Sequence, residues 1–307
     1  MDEPIVFFGT GPVAAASLRL LAERFTIEAV VTKPRPEHHH GSVPVLEVAE
    51  QLKLPVILVA NKKETTDKIT AAKFTSRVGV LIDFGIIVEQ NVIDSFPLGI
   101  VNSHFSLLPQ WRGADPITFS ILSGQDKTGV SLMLLVEAMD EGPLLAVGEV
   151  DIDPEVTTPD LTQELILLSD ALLKDALPKY AAGKLIGSTQ KKIAETVGYS
   201  STPSYSRKLV KEDGILDWNK PAVQLEREIR AYAEWPKSRC VLGGHAIIVI
   251  KASVASGEDT PGKLWHGDRT LGVYTAKGVL ILERVKPAGK GEMPIAAFLN
   301  GYGKDLR

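Results

Sequence analysis

The chain has 307 residues, of which 44% are hydrophobic and 23% are charged, the composition of an ordinary globular protein with room for two domains. No apolar run reaches the length of a membrane span, and the acidic N-terminus lacks the layout of a signal peptide. We therefore expect a soluble cytoplasmic protein with no membrane partner. A single cysteine, Cys240, excludes an internal disulfide and a cysteine-based metal site.

The formal charge of -4 is unevenly distributed along the chain. Residues 204–307 carry 17 Lys and Arg against 12 Asp and Glu, whereas the preceding residues carry 17 against 26. A basic segment on an acidic protein suggests an anionic partner for that segment, although an ordinary solvated surface accounts for the same count.

Short apolar strands alternate with helical stretches in the first half of the chain. The predicted strands are PIVFF, IEAVVT, LPVILVA, RVGVLIDFG and LGIVNSH, followed by GVSLMLLVE and LLAVGEVDI. Nearly continuous apolar strands separated by helices are typical of a doubly wound parallel sheet. We therefore predict a Rossmann-like α/β domain over residues 1–188.

The pattern changes after this domain. Residues 189–203 are polar and interrupted by glycine and proline, which predicts an interdomain linker. Residues 204–307 begin with one amphipathic helix and continue as short strands separated by glycines, which predicts a small β-barrel. Nothing in the pattern requires an assembly, so we expect a monomer.

A glycine turn follows the first predicted strand. Residues 9–14 (GTGPVA), with Gly11 as the second glycine, match the G-x-G-x-x-[G/A] pattern of dinucleotide-binding turns. Pro12 removes one N–H from the anion cradle, and the second strand ends without an acid for a ribose hydroxyl. Lys33 or Arg35 could instead meet a 2′-phosphate, so an NADP-dependent reductase remains one hypothesis. A tight strand-to-helix turn is the structural alternative.

Two polar residues stand at the end of the strand LGIVNSH. Asn102 and His104 lie on the same face, because side chains alternate along a strand, and the carboxyl ends of parallel strands form a ligand crevice. Asp140 lies on a turn between two later strands, and a carboxylate beside an imidazole orients it and stabilises its cation. These groups favour direct transfer through an oxyanion, although His104 and Asp140 are each also common in purely structural roles.

The same residues carry a family resemblance. An N-x-H pair at Asn102 and His104, SLLPxxxG over residues 106–113 and DxG over residues 140–142 resemble the signature of the folate-dependent formyltransferases. This family uses 10-formyltetrahydrofolate as formyl donor. It includes glycinamide ribonucleotide, nucleotide-sugar and methionyl-tRNA formyltransferases.

The rest of the chain is similar to the methionyl-tRNA branch of this family. The similar segments are residues 7–11, 204–238, 250–254 and 286–299. The resemblance implies an oligonucleotide-binding-type (OB-like) barrel and formyl transfer to the amino group of methionyl-initiator tRNA, for translation initiation and without a metal. The alternatives are a formyltransferase for a nucleotide-linked amino sugar and a non-catalytic RNA-binding protein.

The resemblance also implies roles for individual residues. Asn102 and protonated His104 would stabilise the oxyanion, and Asp140 would hold His104 charged and help move the proton of the attacking amine. The folate site would be formed by Ser106, Leu107, Leu108 and Pro109 together with Phe84, Gly85, Ile86, Ile87 and Val88. The tRNA contacts would be Gly11, Lys33, Arg35, Arg112, Lys208, Lys211, Lys237, Lys286 and Lys290.

The loop over residues 33–44 departs from the family pattern. Its sequence, KPRPEHHHGSVP, lacks the longer Arg-, Gly- and Lys-rich run that resembling proteins use against the tRNA acceptor stem. Neighbouring side chains on an extended loop point in different directions, so His38–His40 predict no metal site. Protonation of these histidines below about pH 6.5 would strengthen tRNA binding.

Overall fold

The computed structural model describes residues 3–36 and 41–306. Its internal contacts divide the chain into two compact units, each built from three segments. Unit 1 consists of residues 1–114, 127–150 and 162–206. Unit 2 consists of residues 115–126, 151–161 and 207–307.

Strands and helices alternate through most of the chain. The described strands are β1 (Ile5–Phe8), β2 (Ile27–Thr32), β3 (Val56–Leu58), β4 (Val78–Leu81), β5 (Ile100–His104), β6 (Arg112–Gly113), β7 (Lys127–Leu134), β8 (Leu144–Asp151), β9 (Tyr205–Ser206), β10 (Ser238–Leu242), β11 (His245–Ala255), β12 (Leu264–Gly267), β13 (Thr270–Tyr274), β14 (Val279–Pro287) and β15 (Met293–Pro294). The described α-helices are α1 (Pro12–Ala22), α2 (Pro44–Gln51), α3 (Lys62–Ala71), α4 (Gln90–Ile93), α5 (Pro116–Ser123), α6 (Thr158–Ala181), α7 (Gln190–Val197), α8 (Ala222–Ala231) and α9 (Ile295–Tyr302). Within the described ranges, no helix combines the length and the apolar character that a membrane crossing requires.

Unit 1 is organised around a seven-stranded sheet in the order β3-β2-β1-β4-β5-β7-β8. The first five of these strands are parallel, and β7 runs antiparallel to β5. The prediction of a doubly wound α/β domain is therefore confirmed, with an antiparallel strand added beside β5. Because β4 and β5 are parallel neighbours, with Leu81 paired to Asn102, the loop after β4 leaves the sheet beside the end of β5.

Apolar side chains explain why β1 lies at the centre of the five parallel strands. All four residues of Ile5–Phe8 are fully buried. The ring of Phe8 meets the ring of Phe84 edge-on at a centroid distance of 5.5 Å, a favoured aromatic geometry. Phe84 lies in the loop after β4, so this contact fixes that loop against the core.

The glycine turn after β1 packs against the same loop. A Cβ on Gly11 would lie 1.8 Å from the carboxylate of Asp83, so a larger residue there would have to displace that side chain. The hydroxyl of Thr10 donates hydrogen bonds to the carbonyls of Asp83 (3.0 Å) and Phe84 (2.8 Å). Packing of the turn against Asp83 and Phe84 therefore gives a reason for its sequence that needs no cofactor phosphate, which favours the structural explanation of the turn.

Unit 2 contains a six-stranded antiparallel sheet. Its strand path is β10-β11-β14-β13-β12, and β15 pairs with β14. Buried residues of β11, β13 and β14 pack with Leu225 and Ile229 of α8 and with Phe298 of α9 in one core. The prediction of a second, β-rich domain is confirmed as this antiparallel sheet.

Two short segments from the first half of the chain belong to unit 2, although the predicted boundary at residue 188 placed them in the first domain. Residues 115–126 contain α5, which packs on α8, where Gln224 donates to the carbonyl of Leu122 at 3.3 Å. Residues 151–161 reach the other end of α8, where Arg230 donates to the carbonyl of Val156 at 3.0 Å.

The predicted linker, residues 189–203, lies in unit 1 and contains helix α7. Reciprocal backbone hydrogen bonds between Leu144 and Ser188, at 2.7 and 2.9 Å, attach its start to β8. The side chain of Gln190 is buried. A segment whose polar sequence predicts a linker is therefore a structured part of the α/β unit.

We predict that Glu28 stabilises unit 1 at neutral pH. Burial would raise the pKa of Glu28, but hydrogen bonds from Ser76 and Thr75 outweigh that effect and lower it. Glu28→Gln should lower the free energy of unfolding at pH 7 by about 1–2 kcal/mol in urea denaturation. A lowered pKa means that the ionised carboxylate of Glu28 stabilises the folded state, and this contribution is lost once the carboxylate is protonated. The difference in unfolding free energy between Glu28→Gln and wild type should therefore shrink as the pH falls below about 4. Glu50→Gln, at an exposed carboxylate of α2, is the control; equal stability of Glu28→Gln and wild type would contradict the prediction.

Candidate functional site

Strand β5 carries Asn102 and His104 at the carboxyl edge of the sheet. Both are buried, with 7% and 6% of their surface exposed. Ser103 points to the opposite face, where its hydroxyl bonds that of Ser169 at 2.7 Å. Strand alternation therefore places the amide and the imidazole on one face, as the sequence predicts.

The ring of His104 lies between two acceptors. Its Nε2 is 2.9 Å from the carbonyl oxygen of Trp111, a hydrogen-bond distance. Its Nδ1 is 3.8 Å from Oδ2 of Asp140, the distance of an ion pair rather than of a hydrogen bond. Because a carbonyl oxygen only accepts, Nε2 carries the N–H of that hydrogen bond, and Nδ1 faces the Asp140 carboxylate.

Asp140 reaches the ring because its turn adopts an unusual backbone conformation. The residue has a φ of 53°, the left-handed region that costs non-glycine residues energy. Its Oδ2 accepts a hydrogen bond of 2.7 Å from the N–H of Gly113. Gly113 has a φ of 107°, and a Cβ there would lie 2.5 Å from the carbonyl of Ser206. The backbone of Gly113 thus holds the carboxylate, and only glycine fits where it does so.

Arg112 does not match its predicted role as a tRNA contact. Its Nη1 pairs with Glu141 at 2.7 Å and its Nη2 donates to Gln190 at 2.8 Å. Only 12% of its side chain is exposed. The guanidinium of Arg112 therefore links the loops around Asp140 through these contacts, and it is not exposed for contact with a phosphate.

The residues predicted to shape the folate site contribute mainly backbone. Ser106, Leu107, Leu108 and Pro109 are all buried. Leu108 packs in a core cluster with Met133 and Leu144, so its side chain cannot line an open pocket. The hydroxyl of Ser131 donates to the carbonyl of Ser106 at 2.7 Å and accepts from the N–H of Leu108 at 3.0 Å. This loop is rigid support for Asn102 and His104.

The residues of the loop after β4 differ in burial. The side chain of Phe84 belongs to the core, which leaves its backbone groups as what it offers to a ligand. Ile86 and Val88 pack against the same core, and Gly85 has a φ of 62°. Ile87 exposes 66% of its surface. Of this predicted group, the side chain of Ile87 is therefore the one most available to a ligand.

The predicted tRNA contacts are distributed over both units. Lys33 follows β2, and Arg35 is exposed 3.8 Å from Glu47. Unit 2 exposes Lys208, Lys211, Lys286 and Lys290, whereas Lys237 is half-buried with a φ of 68°. The histidines His38–His40 lie outside the described residues. Among residues 3–36 and 41–306, no group of three or more His, Cys, Asp or Glu side chains is arranged to hold a metal ion.

The segment after α7 supplies contacts that the sequence analysis missed. Tyr199 donates to the carbonyl of Leu108 at 2.9 Å, and Ser204 accepts from the N–H of Trp111 at 2.9 Å. Ser206 donates to the carbonyl of Trp111 at 3.3 Å, the same oxygen that faces His104. Serines and tyrosines in a polar segment carry no periodic signal, so the sequence could not assign these contacts.

Comparisons with known proteins identify the family of this chain. Residues 5–177 match the family model described as "Formyl transferase", and residues 208–303 match "Formyl transferase, C-terminal domain". The chain belongs to the formyl transferase family. The family resemblance proposed from the sequence is therefore confirmed.

Relatives of similar length carry the name methionyl-tRNA formyltransferase. One from Roseiflexus castenholzii is 35% identical over 98% of this chain and 96% of its own length. Another, from Chloroflexus aurantiacus, is 36% identical over 98% of this chain and 97% of its own length. The match extends through both units in each case.

Solved structures show the same fold at low identity. An N-formyltransferase from Helicobacter canadensis, in complex with folinic acid and dTDP-3-aminofucose, has a TM-score of 0.68 at 17% identity and covers 92% of this chain and 98% of its own. HypX from Aquifex aeolicus, in complex with tetrahydrofolic acid, has a TM-score of 0.65 at 15% identity and covers 99% of this chain and 48% of its own. At such identities these structures support the fold.

We predict that Gly113→Ala disables the site without unfolding the chain. The added Cβ would collide with the Ser206 carbonyl and move the N–H that holds Asp140. Formyl transfer should fall by about tenfold or more, because a hydrogen bond to a charged group contributes about 1.5–3 kcal/mol. Gly183→Ala, also at a positive φ but with open space around it, should remain active. Equal activities of the two variants would contradict the prediction.

Proposed function

We propose that this chain transfers the formyl group of 10-formyltetrahydrofolate to the free amino group of methionyl-initiator tRNA. The observation that carries the proposal is that buried Asn102 and His104 share one strand face at the carboxyl edge of the sheet, with Asp140 3.8 Å from the His104 ring. An amide, an imidazole and a carboxylate are the groups that a direct acyl transfer to an amine requires.

The reaction forms one bond to the formyl carbon and breaks another. The methionyl nitrogen attacks that carbon, which gives a tetrahedral intermediate with an oxyanion. The intermediate then collapses as the bond to the folate nitrogen breaks. The amine loses a proton and the folate nitrogen gains one, so the overall transfer is balanced. The protein must stabilise the oxyanion and provide for these two proton movements.

Asn102 is suited to the oxyanion. Its amide is a neutral hydrogen-bond donor held at a strand end and buried from water, where a preorganised donor acts most strongly on developing charge. The neighbouring strands fix its backbone on both sides. We therefore assign the direct hydrogen bond to the oxyanion to Asn102.

His104 and Asp140 supply charge and a proton path. Because both ring nitrogens face acceptors, His104 in its protonated form adds positive charge beside the developing oxyanion. The carboxylate of Asp140 retains one oxygen, Oδ1, beyond the one bound by Gly113. We assign acceptance of the amine proton to Asp140, assisted by the adjacent ring.

A folate-type donor fits the loops beside these residues. Ile87 offers exposed apolar surface after β4, and the loop over residues 84–88 offers backbone groups for hydrogen bonds. The solved neighbours in complex with folinic acid and tetrahydrofolic acid share the fold that forms this edge. These points support 10-formyltetrahydrofolate as the donor.

Two observations favour tRNA as the acceptor. The relatives named methionyl-tRNA formyltransferase match nearly the whole chain, including unit 2. Residues 204–307 carry 17 basic against 12 acidic residues, which suits a phosphate backbone. Such an acceptor implies a cytoplasmic enzyme acting in translation initiation, and we expect it to act as a monomer. The second candidate acceptor is a nucleotide-linked amino sugar, because structural neighbours include sugar formyltransferases.

We predict that the polar residues of β5 act on turnover. His104→Ala should lower kcat by about 10²–10⁴-fold, and Asn102→Ala by about 100-fold, while KM for each substrate changes little. His245→Ala is the matched control, since His245 also pairs with an aspartate, Asp305, at 2.8 Å in unit 2. Retention of normal kcat by His104→Ala would remove the imidazole from the chemistry.

The acceptor is decided by one competition. Wild-type protein and 10-formyltetrahydrofolate are offered methionyl-initiator tRNA, methionyl-elongator tRNA or a dTDP-linked amino sugar. We expect formylation of the initiator tRNA, with an affinity that falls steeply between 50 and about 200 mM salt, because contacts to phosphates release counterions. Formylation of the sugar alone, with a shallow salt dependence, would instead establish the second candidate.

A further inference from the structure

We propose that Gln190 is a positioning residue for formyl transfer, which acts by holding the turn of Asp140 so that its carboxylate faces His104. This inference rests on the proposed function of Asp140. Gln190 is the first residue of α7 and only 5% of its surface is exposed. It lies in the segment that the sequence predicts to be a linker.

Both ends of the Gln190 amide are used. Its Nε2 donates to the carbonyl of Asp140 at 2.7 Å and to the carbonyl of Gly142 at 3.1 Å. Its Oε1 accepts from Nη2 of Arg112 at 2.8 Å. One buried side chain therefore binds the main chain on both sides of Glu141 and also binds the neighbouring loop.

The backbone conformation of the Asp140 turn has to be stabilised by contacts from other segments. Asp140 adopts a left-handed conformation that costs a non-glycine residue about 1–2 kcal/mol, so the surrounding contacts must select it. Gly142, two residues on, packs closely against the backbone of β7, since a Cβ there would lie 1.7 Å from the carbonyl of Leu134. The hydrogen bonds from Gln190 reach the carbonyls at both ends of this strained stretch.

Gln190 also couples the turn to the donor that holds the carboxylate. Arg112 binds Gln190 and Glu141, and its neighbour Gly113 donates to Oδ2 of Asp140. These contacts form a closed ring of residues. Gln190 and Gly113 both bind Asp140, and Arg112, which precedes Gly113 in the chain, binds Gln190. A shift of the glutamine would move the carboxylate and its hydrogen-bond donor relative to the His104 ring.

Helix α7 has other anchors, so its fold does not depend on this amide. Thr189 caps the helix by accepting from the N–H of Lys192, and Ser188 exchanges two backbone hydrogen bonds with Leu144. Ile193 packs against the cluster of Leu108, Met133 and Leu144. Removal of the amide should therefore affect the Asp140 turn more than the helix.

The test is a double-mutant cycle of Gln190→Met and Asp140→Asn. Methionine preserves length and apolar volume without the hydrogen bonds. Gln190→Met alone should lower kcat by about ten- to hundredfold, as expected for lost hydrogen bonds to a buried site, with KM for both substrates within about twofold. On the Asp140→Asn background, the same change should cost less than about twofold, because a positioning residue has nothing left to position.

A second variant separates the two ends of the amide. Gln190→Glu keeps an acceptor for Arg112 but replaces the N–H donors with a carboxylate facing two carbonyls, so it should lose at least as much kcat as Gln190→Met. Gln51→Met is the matched control, because the exposed Gln51 of α2 also accepts from an arginine, Arg19. Normal kcat in Gln190→Glu, or losses that multiply in the double variant, would overturn the proposal.

The arms of the experiment separate this inference from the function on which it rests. Failure of the wild-type protein to formylate methionyl-initiator tRNA would overturn the proposed function, and the cycle would then be measured with the amino-sugar acceptor. An active wild type with a strongly impaired but measurable Asp140→Asn and a fully active Gln190→Met would overturn the role of Gln190 alone.

Discussion

The arrangement of the site depends on holding the imidazole of His104 between a backbone carbonyl and a carboxylate. The carbonyl belongs to Trp111, and the carboxylate belongs to Asp140, which lies on a turn far along the chain. Neither acceptor is fixed by its own strand. Hydrogen bonds from Ser206 to the first and from Gly113 to the second hold both in place, so the role we propose for His104 relies on loops that leave the sheet.

This dependence explains why apparently unrelated residues share one task. The loop after His104 is buried and contributes its backbone, and the segment after α7 fastens it through Tyr199 and Ser204. Gln190, at the start of that helix, fastens the Asp140 turn. The polar segment over residues 189–206 thus belongs to the first unit and holds the loops around the proposed site.

The sequence could predict the sheet, the strand-end pair and the family, because apolar periodicity and the alternation of a strand are local properties. Asn102 and His104 share a face for that reason, whereas Asp140 is linked to them only through the family pattern. Side-chain burial was harder to predict: Phe84 and Leu108 lie in cores, and Arg112 is bound by Glu141 and Gln190. Such contacts depend on packing between segments distant in sequence, which composition and spacing do not encode.

The most direct test of the account is a crystal structure of the protein with a bound folate analogue that carries a formyl group it cannot transfer. The account predicts that the formyl oxygen lies about 3 Å from the Asn102 amide nitrogen, with the formyl carbon beside His104 and Asp140. A formyl group bound more than about 6 Å from all three side chains, well beyond hydrogen-bond reach, would contradict the account.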